Sequence, residues 1–188
     1  MTSPTNAALV TPTPLFQPVR GRKLNVLLSL IGRYRSEAEK SASVRAYYAA
    51  CITLGAALEA LLLSMCSMRG EEVEKYVATL AAANRPPRKA EQWQFQHLLS
   101  AATALKWLPG RANRHSRPKL AEWVRLVKEL RNLVHPGRHI REYSNVKLDK
   151  HNWNDAKAIF DLAVSSILDL VKTDLRAEMR RRGVIPLD

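Results

Sequence analysis

Apolar positions along the chain recur with a helical period, and no convincing two-residue alternation appears anywhere. The longest apolar run, residues 46–68, reads AYYAACITLGAALEALLLSMCSM and carries one charge, Glu59. Its length would let it cross a bilayer. A carboxylate near the centre costs about 2.5–3.5 kcal/mol there, so the run reads instead as a central helix buried by its neighbours. Ser36-Glu37-Ala38-Glu39 has the form of a capping box and predicts that this helix starts near Ser36. A short apolar helix over 24–31 precedes it. Another helix follows over 71–83, with acids in its first turn where the helix dipole favours them.

Paired prolines make 85–89 (RPPRK) a loop. The helical pattern resumes over 91–108 and stops at Pro109-Gly110. Asn154 reads as the N-cap of a last helix that places Ile159, Phe160, Ala163, Ile167 and Val171 on one face. That helix runs into Arg180-Arg181-Arg182 and Gly183. There is no internal repeat. The expected class is all-α, with a flexible proline-rich arm over 1–20, one helical domain over 21–183 and a tail over 184–188.

The stretch LRNLVHPG (130–137) departs from this ordinary pattern. On the helix expected over 118–135, Leu120, Trp123, Val127, Leu130 and Val134 form a buried stripe. At about 100° per residue, Arg131 falls only about 40° from Val127, inside the stripe. His135 lies about 80° away, at the margin, and Asn132 at about 140° points away from the core. A guanidinium does not deprotonate, so a buried one needs an acid or a wet cleft. Glu59 is the conspicuous acid, and a Glu59–Arg131 pair is expected. His135 has a simpler reading as the cationic end of a helix closed by Pro136-Gly137.

Charge adds a second theme. The 188 residues hold 30 Lys+Arg against 17 Asp+Glu, a formal net charge of +13, which favours polyanionic partners. Between Glu91 and Glu122 there is no acid, while Lys106, Arg111, Arg114, Arg117 and Lys119 are present. Arg138 and Arg141 follow the LRNLVHPG stretch. With Trp107, a candidate base-stacking platform, these residues form the candidate nucleic-acid surface. Trp93 and Trp123 read as core.

Cys51 and Cys66 share one helix roughly 22 Å apart, too far for a disulfide. No CxxC motif or Cys/His cluster points to zinc, and no metal or cofactor is expected. Reduced thiols and the absence of a secretory pattern in the first residues point to the cytoplasm. Glycine-loop, GxSxG and HExxH motifs are missing from the sequence.

LGAALEALLL, HLLSAATALKWLP and LVKELRNLVHPGR, followed by NDAKAIFDLA, together resemble the HEPN superfamily across roughly residues 24–175. The resemblance implies a helical bundle built on a central antiparallel pair of long helices, often paired as a homodimer. It also implies a setting in prokaryotic toxin–antitoxin or phage-defence systems, with an antitoxin or other defence protein as partner. Catalytic members are metal-independent endoribonucleases whose motif corresponds here to Arg131, Asn132 and His135. By that likeness His135 moves the proton, Arg131 steadies the developing phosphorane charge and Asn132 orients one of them. Three residues separate Arg131 from His135 here, fewer than active members usually carry. The other reading is a non-catalytic HEPN-like module in which Arg131 and His135 are structural.

Overall fold

The computed structural model describes residues 13–108, 120–132, 141 and 147–182. These residues are mostly helical, and no strand forms among them; one isolated bridge joins Gln17 and Lys89. The helices are α1 (Gly21–Ser43), α2 (Tyr47–Met68), α3 (Gly70–Thr79), α4 (Phe95–Ala104), α5 (Leu120–Asn132) and α6 (Lys150–Arg181). Single 3-10 turns occupy Ala82–Asn84 and Ala90–Gln92. The all-α class expected from the pattern is what these residues form.

α2 is the element around which the rest assembles: α1, α4, α5 and α6 all pack on it. Leu54, Leu58, Leu62, Met65, Cys51 and Cys66 are buried along it, which accounts for its lack of a polar face. Of all the described helices it alone has the length and apolarity to cross a membrane, and most of that apolar window is covered by the other helices.

Several boundaries differ from expectation. The segments 24–31 and 36–43 belong to one helix, α1, because the inward stripe Leu24, Leu27, Ile31, Tyr34, Ala38, Ala42 continues straight past Ser36. Glu37 and Glu39, the supposed capping acids, pair with Lys40 and Arg35 instead. The break comes at Val44–Ala46. Arg45 takes a left-handed φ of 62°, its N–H donates to Ala42 O at 2.9 Å, and Ala46 N–H donates to Ser41 O at 2.9 Å. This is a Schellman closure without glycine. α4 ends the same way: Lys106 has φ 59°, Lys106 N–H donates to Thr103 O at 3.1 Å and Trp107 N–H to Ala102 O at 2.9 Å. The helix expected over 91–108 is therefore shortened at both ends, and the one expected over 71–83 stops at Thr79.

α6 starts at Lys150. Asp149, not Asn154, is its cap: Asp149 Oδ1 accepts from His151 N at 2.8 Å and Asn152 N at 3.1 Å, and Asn152 Oδ1 accepts from Asp149 N at 3.1 Å. Ile159, Phe160, Ala163 and Ile167 are buried as expected, but Val171 is exposed, as are all of residues 171–177.

Residues 13–20, expected in a flexible arm, are tied to the bundle. The Glu74 carboxylate accepts from Leu15 N at 2.7 Å and Phe16 N at 2.6 Å. Val19 N–H donates to Ser67 Oγ at 3.2 Å, and the Phe16 ring meets Trp93 edge-on at 5.0 Å. Prolines 14 and 18 suit this extended strap because they remove N–H groups that would otherwise need partners. Trp93 is core, as expected; the rest of the arm, the tail over 184–188 and the Trp123 side chain lie outside what is described.

Candidate functional site

α5 turns Ala121, Val124 and Val127 fully inward, with Leu120 and Leu130 partly covered. One turn beyond Val127 on the same face comes Arg131, as the angular argument expects. Its stem runs across Gly55 of α2. A Cβ built at Gly55 would lie 2.7 Å from Arg131 Cβ and 3.3 Å from its Cγ and Cδ. Only glycine lets α5 come this close.

One turn further along α2, Glu59 receives the guanidinium: Arg131 Nη2 lies 2.5 Å from Glu59 Oε2. The two side chains are 33% and 23% exposed, so the pair is largely covered yet opens to water on one side. Burial raises the Glu59 carboxyl above its ordinary value, and the Arg131 charge opposes that rise without cancelling it. Arg131 thus has both of the companions between which its place in the stripe left a choice, an acid and a cleft.

The cleft has a volume of about 470 Å³ and is lined by Glu59, Gln94, Phe95, Gln96, Lys128, Arg131 and Asn132. Lys128 Nζ donates to Gln96 Oε1 at 2.7 Å and lies 3.2 Å from Glu129 Oε1. On the opposite wall the first turn of α4 is held by His97, whose Nδ1 accepts from Gln94 N at 3.2 Å. Burial lowers the His97 pKa, which keeps that nitrogen available as an acceptor. Asn132, expected to point away from the core, lines the cleft instead. The cleft lies beside the apolar stripe, on the side where Lys128 and Asn132 stand one turn apart.

The structure therefore brings Arg131, Asn132 and Glu59 together. It does not bring the aromatic candidate to them. Trp107 is 1% exposed and offers no face to a base, because it is the buried hydrophobic residue that follows the left-handed Lys106. Lys106 and Arg141 are exposed. His135, Arg111, Arg114, Arg117, Lys119 and Arg138 lie outside the described residues. Sequence reasoning missed Lys128, Gln94 and Gln96. Lys128 was within reach of a helical wheel, being three residues before Arg131. The two glutamines come from a distant segment and carry no local signal.

Chemically the cleft offers two cations, one carboxylate and three carboxamides within a single concavity, a combination suited to a polar anionic ligand and to proton transfer. Among the described residues no group of three or more His, Cys, Asp or Glu side chains converges. No family model, no curated protein and no solved structure matches the chain.

Proposed function

We propose that the chain is a HEPN-like, RNA-associated cytoplasmic protein. In this reading its bundle rests on a central antiparallel helix pair, and it acts as a homodimer and a metal-independent endoribonuclease of a prokaryotic toxin–antitoxin or phage-defence system. Arg131, Asn132 and His135 are its working residues. The observation that carries this reading is the place of Arg131: its head reaches the wall of a polar cleft beside Lys128 and Asn132. A guanidinium has five N–H donors in a fork, and one carboxylate oxygen engages only part of it. The remaining edge suits a phosphate. Lys106, Arg141 and the basic residues of 111–119 and 138 supply the attraction for an RNA backbone.

The test is incubation of the protein with RNA in EDTA. Cleavage with 2′,3′-cyclic phosphate ends, lost in His135→Ala at an unchanged melting temperature, is the expected result. A second reading is favoured by the fit of the Arg131 stem on Gly55 and of its head on Glu59. It makes the pair a seam between α2 and α5 in a non-catalytic dimerisation or partner-binding module, an antitoxin being one such partner. Intact RNA with wild-type protein, together with a lowered melting temperature in His135→Ala, selects that reading.

A further inference from the structure

We infer that the outer face of the first turns of α1 is a docking groove for an acidic amphipathic helix of another protein. The groove stands apart from the cleft and from any reaction in it.

α1 carries a second apolar stripe beside its inward one. Val26, Leu27 and Leu30 form it, and with Leu63 of α2 and Val19 of the strap they line a groove of about 380 Å³. Val26 is 51% exposed there, and Leu27, Leu30 and Leu63 are half-buried. Single exposed apolar side chains are ordinary on a surface, whereas a contiguous concave set marks a place that something covers. From Arg22 to Leu30 the groove runs about 12 Å, or roughly two turns of a facing helix.

The shape and chemistry of the floor select the occupant. It is made of helix side chains and of Val19, whose N–H is already given to Ser67 Oγ at 3.2 Å. An extended peptide would find no backbone groups there to pair with, while a helix satisfies its own. A flat bilayer face does not fill a concavity between elements, and a nucleic acid gains nothing from an apolar floor. The rim is cationic. Arg22 and Lys23 line it, and Arg33 stands exposed one turn beyond Leu30. Glu91, the acid of the lining, is held by Lys23 at 3.2 Å, and Glu37 beyond Arg33 is held by Lys40 at 2.9 Å. Among the described residues neither Arg22 nor Arg33 forms an ion pair, so flanking acids on the incoming helix would complete them. A second copy suits the groove poorly. Its own exposed apolar stripe, Leu168, Val171 and Leu175 of α6, leads into Arg176 and Arg180-Arg181-Arg182, which would set like charges against the rim.

The probe is a fluorescein-labelled peptide of about 15 residues, built of leucine, alanine and glutamate with the leucines at helical spacing and glutamates flanking them. Fluorescence anisotropy with the full chain reads its affinity. Binding is expected to saturate and to weaken as salt rises. It should be lost when the order of the same residues is scrambled, or when lysine replaces glutamate. Val26→Asp should weaken it about 10-fold or more, and Arg22→Glu with Arg33→Glu about 3- to 10-fold at low salt. Melting temperatures should stay near wild type, because all three side chains are exposed. No binding, equal binding of the scrambled peptide, or binding that Val26→Asp leaves intact overturns the inference. So does capture by mixed phosphatidylcholine–phosphatidylserine vesicles in place of the peptide, or self-association in sedimentation that Val26→Asp abolishes. If Val26→Asp does not fold, the double arginine variant decides: unchanged affinity in it overturns the inference, and the expected loss supports it.

Discussion

The side chain of Arg131 crosses Gly55 and ends on Glu59, so two residues one turn apart on α2 hold one residue of α5. Gly55→Ala tests how tightly. The added methyl would sit 2.7 Å from Arg131 Cβ, far inside contact distance, and overpacking of this kind costs roughly 1–3 kcal/mol. Alanine returns about 1 kcal/mol of helix propensity, so a net loss of up to about 2 kcal/mol in urea unfolding is expected. The clash is between two Cβ atoms. Arg131→Ala therefore should not relieve it, whereas in an Arg131→Gly background the Gly55→Ala penalty should disappear. Equal penalties in the two backgrounds would contradict the close approach.

Two helices close on a basic residue in the left-handed region, Arg45 after α1 and Lys106 after α4. A side chain there costs about 1–2 kcal/mol in backbone strain, partly recovered because glycine is more disordered when unfolded. Arg45→Gly and Lys106→Gly should each raise stability by about 0.5–1 kcal/mol, seen as a higher melting temperature, while Arg45→Ala should not. If Lys106 also contacts RNA, its glycine variant will gain stability and lose affinity, which separates the two roles in one protein.

The same closures explain what could and could not be read from the sequence. The inward place of Arg131 was legible because the helical period alone fixes its angle to Val127, and Glu59 was legible as the one charge in an apolar run. Helix ends were not. Ser36 and Asn154 are good capping residue types, but Ser36 sits in the middle of a continuous stripe and Asp149 caps α6 first. The ends after Ser43 and Ala104 lack the glycine that usually marks them. The far wall of the cleft was out of reach for another reason: Gln94 and Gln96 meet Lys128 and Arg131 through the packing of α4 and α5 on α2 and on each other, and no spacing within one segment encodes that.

Trp107 illustrates how a tryptophan beside a basic stretch of sequence can mislead. It is fully buried as the residue that follows a left-handed cap, and its backbone carbonyl accepts from Ser166 Oγ at 3.3 Å. Trp107→Ala should cost about 3–5 kcal/mol, as for other large-to-small core changes. RNA affinity measured where the variant is still folded should be unaltered. Acrylamide quenching in a protein whose only tryptophan is Trp107 gives a second check: a quenching constant near that of free indole would mean that the ring is exposed after all.

Cys51 and Cys66 give the chain a stability limit on the alkaline side. Both are buried in α2, and burial pushes their thiols up to about 11 and about 12, from an ordinary value of 9.0. Well below pH 9.0 each thiol is neutral whether the chain is folded or not, and pH has no leverage through them. Above it the unfolded chain releases protons that the folded chain retains, so stability falls as pH rises from there towards the folded values. Cys51→Ala and Cys66→Ala should each flatten that fall. They should do so while lowering stability at neutral pH, because each deletes buried volume. The same burial predicts that a thiol reagent at pH 8 labels neither cysteine quickly until denaturant is added. Rapid native-state labelling of either one would mean that α2 is far less covered by its neighbours than the packing of α1, α4, α5 and α6 requires.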